Sequence, residues 1–178
     1  MKMEIQLQYF NHSGGAVGSD TVWDEIGKQY GVISKHYWHG KRTPNGNIEI
    51  TEEEFEEGKK HVLLANETLH RRPEKYMNLL ARNYNQVRYS EEIFAISTIL
   101  GNQVKGGTGW AVQMAIDDNK PVHVFDLTTK KWFIWKETGW IETEIPVLTQ
   151  NFAGIGTRKI DQSGINAIKD VYRVTFGW

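Results

Sequence analysis

The stretch "NHSGGAVGSD", residues 11–20, lies between an apolar run, "IQLQYF" at 5–10, and "TVWDEIGKQY" at 21–30. Val22, Ile26 and Tyr30 recur every four residues, so the second flank reads as an amphipathic helix over 20–30, capped by Ser19 or Asp20. A glycine loop joining a strand to a helix N-terminus is half of a βα unit. It fixes the fold class only if the pattern recurs. It does: "KGGTGWAVQMAIDDNK" (105–120) follows the apolar run "IFAIST" (93–98), and "NFAGIGTR" (151–158) precedes "QSGINAIKDVYRVTF" (162–176).

Between these units the chain supplies the rest of the alternation. Gly31 can end the first helix, "VISKHYW" (32–38) reads as a strand, and "TPNGN" (43–47) as a turn. Thr51 and Glu54 have capping-box spacing, and the acids of "TEEEFEEGKKHVLLANETLHR" (51–71) cluster where they suit the positive end of a helix. Pro73 breaks that helix, and "EKYMNLLARNYNQV" (74–87) forms another. "PVHVFDL" (121–127) is a buried strand, and "KKWFIWKETGWIE" (130–142) alternates as a hairpin turning near Glu137 to Gly139. The expectation is an α/β, Rossmann-like three-layer sandwich with a mostly parallel sheet and a small β-hairpin. One domain is expected over 1–178, with the hairpin inserted at about 128–145.

Composition narrows the function classes. The chain has 178 residues, 39% of them hydrophobic and 24% charged, which suits a folded core rather than disorder. A net charge of −1 gives no bulk attraction to nucleic acid or an anionic membrane. Cysteine is absent, excluding disulfides and thiolate metal sites, and no apolar run is long enough to span a bilayer. A cytoplasmic location is expected. The seven tryptophans read either as packing groups or as a base-stacking platform. The histidines show no ligand spacing, since His36 and His39 would face opposite sides of a strand, so no metal and no cofactor are expected. His12 could contact a phosphate, whereas His123 reads as a satisfied buried group.

In open α/β sheets ligands bind beyond the carboxyl ends of the strands, where helix N-termini favour anions. All three glycine loops belong there. "SGGAVGSD" (13–20), "LLARN" (79–83), "GGTGWAVQMA" (106–115) and "AGIGTR" (153–158) together resemble the phosphate- and ribose-binding elements of the SLOG superfamily, the Rossmann-like group that includes the DNA-processing protein A and Lonely Guy families. In that group the strand resembling "AGIGTR" comes first. Here it comes last, so the resemblance implies a circular permutation. The ligand-binding residues it implies are Ser13, Gly14, Gly15, Gly18 and Asp20; Arg82; Gly106, Gly107, Thr108, Gly109 and Trp110; and Gly154, Gly156, Thr157 and Arg158. Lys105 or Arg42 could add charge. Asp20 reads equally as a helix cap or an acceptor for a ribose hydroxyl, and Arg158 as a phosphate partner or a surface ion-pair residue.

Lonely Guy enzymes hydrolyse the N-glycosidic bond of nucleoside monophosphates through an arginine and a glutamate. Arg82 matches the arginine, but Gln113 stands in the glutamate position, and an amide is no general base. Glu91, Glu92 and Asp126 are substitute acids only by nearness to strand ends. The resemblance therefore implies non-catalytic binding or sequestration of a ribonucleotide or an ADP-ribose-like, possibly cyclic, signalling nucleotide, as in a phage-type anti-defence sponge. The alternative is a Lonely Guy-like phosphoribohydrolase using Arg82 and Gln113. A third reading is DNA binding of the DNA-processing protein A kind, which fits poorly with the net charge. The expected partners are a nucleotide-derived small molecule and further copies of the chain.

Overall fold

The computed structural model describes residues 7–177. In chain order it contains β1 (Phe10–Ser13), α1 (Ser19–Gln29), β2 (Ile33–Trp38), β3 (Ile48–Glu49), α2 (Glu52–Leu69), a 3-10 turn (Glu74–Tyr76), α3 (Met77–Arg88), β4 (Glu92–Ser97), β5 (Ile99–Leu100), β6 (Gln103–Val104), α4 (Gly106–Asp117), β7 (Val122–Asp126), β8 (Lys131–Lys136), β9 (Gly139–Thr143), β10 (Asn151–Gly156) and α5 (Gln162–Phe176). Eight strands form one sheet in the order β3-β2-β1-β10-β4-β7-β8-β9, with parallel pairings except β7–β8 and β8–β9, while β5 and β6 make a separate antiparallel ribbon. This is the expected α/β, Rossmann-like sandwich with a hairpin, and the hairpin β8–β9 extends the sheet beyond β7. No helix among the described residues is long and apolar enough to cross a membrane.

Alternating side chains of the central strands feed two cores. Ile93 and Ala95 of β4, Val122 and Val124 of β7, and Ala153 and Ile155 of β10 pack against Val62, Leu80, Tyr84 and Met114 from α2, α3 and α4. On the other face Phe94, Ile96 and Phe152 meet Trp23 of α1 and Ile168, Val171 and Tyr172 of α5. The three layers follow from this period-two alternation in strands buried on both sides.

β10, near the C-terminal end of the described chain, lies in the sheet interior. Its Asn151 pairs with Phe10 of β1 and its Gly154 with Phe94 of β4. Read from β10 through α5 and then from β1, the parallel strands β10, β1, β2, β4 and β7 lie in the spatial order 3-2-1-4-5, the Rossmann arrangement. The order reverses between β10 and β4.

The structure moves the first strand. Of "IQLQYF" only Phe10 is in β1, Leu7 to Tyr9 lead into it, and residues 5 and 6 lie outside the described residues. The strand continues instead through Asn11, His12 and Ser13, all buried. Most of their polar atoms have partners: Asn11 Oδ1 accepts the Gly154 N–H at 2.9 Å, and His12 bonds Tyr37 at 2.8 Å and Asn151 at 2.9 Å, while Asn11 Nδ2 is buried without one. The N-cap of α1 is also neither Ser19 nor Asp20 but Gly18. The Thr51–Glu54 capping box on α2 forms as expected.

Candidate functional site

A cavity of about 530 Å³ opens where the strand order reverses, over the carboxyl ends of β10 and β4. It is walled by the N-termini of α1 and α4 and by one face of α3, which presents Leu79, Arg82, Asn83 and Gln86 at helical spacing. Of the residues implicated by sequence, Asp20, Arg82, Gly106, Gly107, Thr108, Gly156, Thr157 and Arg158 line it, and Lys105 joins them.

The three glycine loops play unequal parts. Lys105 holds the N-cap of α4 without a side-chain bond, and a Cβ on Gly106 or Gly107 would meet nothing, so a ligand can approach the backbone of this first turn, whose amides have no partner within the helix. Their carbonyls are held back. Arg71, from the α2–α3 connection, donates Nη2–H to Val104 O at 2.8 Å and Nη1–H to Gly106 O at 2.9 Å. Ser97 Oγ donates to Lys105 O at 3.4 Å. With the carbonyls pinned behind, the turn shows the cavity a donor surface, reinforced by the helix dipole.

The other two loops spend their donors internally. In the first, Gly15 N–H donates to Ser13 Oγ at 3.1 Å, Ala16 N–H to Asp20 Oδ2 at 3.1 Å, and Ser19 N–H to Thr157 O at 3.1 Å. Gly18 is required by backbone: at φ 101 a Cβ would stand 2.5 Å from Arg158 Cα. In the third, Thr157 N–H belongs to Ile96 O and the N-terminus of α5 is closed by Asp161, which accepts the Gly164 N–H at 2.9 Å. That loop contributes the Arg158 and Lys159 side chains.

Charge in the cavity is one-sided. Lys105, Arg158 and Lys159 form no salt bridge among the described residues, and neither does Arg82, whose Nε is buried without a partner while its Nη2–H donates to Asn83 Oδ1 at 3.1 Å. Burial lowers the Arg82 pKa from its usual value, opposed by Asp20. Asp20 is the single carboxylate in the lining among the described residues. Burial pushes its pKa up to about 6, against the pull of the Ala16 N–H and of Arg82 and Arg158.

Several residues implicated by sequence do other work. Trp110 is 6% exposed, buried in the core that α4 shares with α2, α3 and the sheet, and no aromatic side chain lines the cavity among the described residues. Gly109 allows α4 to approach Val104 O, which a Cβ would meet at 2.0 Å, and Gly154 gives room to the Trp23 ring. Ser13 is buried beneath its turn, Gly14 backs onto Gln86 and Arg82, and Gly15 onto His36. Gln113 lies outside the lining and donates its amide to Asp117 at 2.9 Å. Arg42 is tied to Gly46 O, and His123 to Glu92. Glu91 and Glu92 stand at the amino end of β4, opposite the cavity, and Asp126 accepts the N–H groups of Ile99, Thr128 and Thr129. Leu79, Asn83 and Gln86 were missed as lining residues in the sequence, although their helical spacing around Arg82 was a signal that could have found them. Arg71 carried no sequence signal, because its partners are backbone carbonyls more than thirty positions away.

No protein-family model, curated protein or solved structure matches the chain.

Proposed function

We propose that the chain binds the phosphate of a ribonucleotide or ADP-ribose-like ligand in this cavity and holds it without cleavage. The observation that carries this reading is the uncapped N-terminus of α4, turned toward a cavity that also receives Arg82, Lys105, Arg158 and Lys159. Its place at the reversal of strand order is where sheets of this kind take nucleotides. The resemblance to the SLOG superfamily supports the same ligand class, and with it the sequestration of a nucleotide-derived signal, as in a phage-type anti-defence protein.

Hydrolysis of the Lonely Guy kind is disfavoured, because Gln113 is engaged with Asp117 away from the cavity. Calorimetry with AMP and ADP-ribose tests binding. Arg158→Ala should weaken whichever ligand binds by about ten-fold or more, the loss of one charge-assisted hydrogen bond. Unchanged affinity would make Arg158 a bystander. Ligand recovered after overnight incubation should be intact on chromatography. Free base released by wild type but not by Arg82→Ala would replace the binding reading with hydrolysis.

A further inference from the structure

Among the described residues, four cations and one carboxylate line the cavity, and the carboxylate forms no salt bridge with any of them. Asp20 is 7% exposed. Its Oδ2 accepts the Ala16 N–H at 3.1 Å, and the Gly14 amide also faces it. The point where a Cβ on Gly14 would stand is 2.5 Å from Gln86 Nε2, 3.1 Å from Arg82 Nη2 and 3.6 Å from Asp20 Oδ2, so the carboxylate, the guanidinium and the Gln86 amide crowd together there, and all three residues line the cavity. The charged groups facing Asp20 are Arg82 from α3 and Arg158 after β10.

An anion drawn to the α4 amides and these cations therefore meets a group that, when ionised, can only accept hydrogen bonds. Two acceptors in contact repel unless one carries a proton. A protonated phosphate oxygen supplies that proton, and so does a sugar hydroxyl beside the phosphate. Sulfate supplies neither.

Resting on the phosphate-binding reading, we propose that Asp20 makes the cavity selective for ligands that place an O–H donor beside their anionic group, and excludes anions of like charge and shape that have none. Asp20 is thus a specificity-determining residue. The selectivity should relax in acid: below about pH 6 the buried carboxyl holds its own proton and becomes a donor, even toward sulfate.

The probes are inorganic phosphate against sulfate, which places the donor on the anion, and AMP against 2′,3′-dideoxy-AMP, which places it on the sugar. In calorimetry at pH 8, wild type should prefer the hydroxyl-bearing member of at least one pair by about ten-fold, the worth of one hydrogen bond. The pair that shows the preference identifies the source of the donor. Asp20→Asn keeps an oxygen for the Ala16 N–H and supplies an amide donor, so the preference should vanish. A measurement on wild type guards against a variant that fails to fold: sulfate does not titrate between pH 8 and pH 5, yet its affinity should rise by about ten-fold across that range. Equal affinities within both pairs at pH 8, or a preference that survives in folded Asp20→Asn, would overturn the proposal while leaving the phosphate site standing. If none of the four probes binds, the phosphate-site reading falls and this proposal with it.

Discussion

Asp20 is ionised at neutral pH against the preference of its surroundings. Its pKa is about 6 in the folded chain and 3.8 as a free side chain, so the native state holds the proton more tightly than the unfolded state. The stability tied to that proton is fully present below about pH 4 and is lost as pH rises through 6, a difference on the order of 3 kcal/mol. Asp20→Asn should accordingly be more stable than wild type at pH 7.5 by up to that amount, and the gap should close toward pH 4. Urea denaturation of both proteins at the two pH values measures it, and a gap that is absent at pH 7.5 or constant with pH would count against the burial argument. Residue identity foretold this group only halfway. "SGGAVGSD" suggested a cap or a hydroxyl acceptor, and the structure excludes the first, because Gly18 is the cap and Asp20 accepts from the loop before it. Trp110 was less legible still. A tryptophan after a glycine loop looks like a stacking surface, yet it is buried in the core that α4 shares with α2, α3 and the sheet.

Among the elements, those with strong local signals matched their expected bounds: α5 spans the residues the sequence suggested, and α2 begins at its capping box. β1 did not, because periodicity looks for apolar residues and this strand is buried with polar ones whose partners, Asn151 and Gly154, lie far along the chain. The ribbon β5–β6 was missed for its brevity. It matters all the same, since Arg71 grips the end of β6 and the first residue of α4. Arg71 does not line the cavity. Even so, Arg71→Ala is predicted to weaken AMP binding by about ten-fold, because the freed carbonyls of Val104 and Gly106 can rotate toward the ligand. Arg71→Lys should restore little, since one ammonium cannot reproduce a planar fork to two carbonyls. Calorimetry on both variants, with amide hydrogen exchange at Gly106 and Gly107, separates this from general loosening. An Arg71→Ala protein with full affinity would end the argument.

For the whole molecule, the sequence order of strands and their order in space diverge at one point, the placement of β10 between β1 and β4. The rings of Tyr9 and Phe176 lie 5.0 Å apart, so the end of α5 already adjoins the approach to β1. A permutant opened between Glu144 and Ile145, both exposed, with a short glycine-serine linker joining Gly177 to Leu7, should reach the same fold. Circular dichroism and thermal melting should match wild type within a few degrees, and a chain that stays unfolded would show that the present strand order is itself needed. The central position of β10 also sets a timetable. During synthesis β1 and β2 can pair, and so can β4 and β7, but each half keeps a bare inner edge until residues 151–156 leave the ribosome. A chain that paired those strands first would hold two open half-sheets, exposed to mispairing, until β10 arrives. The cavity, whose lining includes Ile155 to Lys159, cannot be complete before that strand is in place.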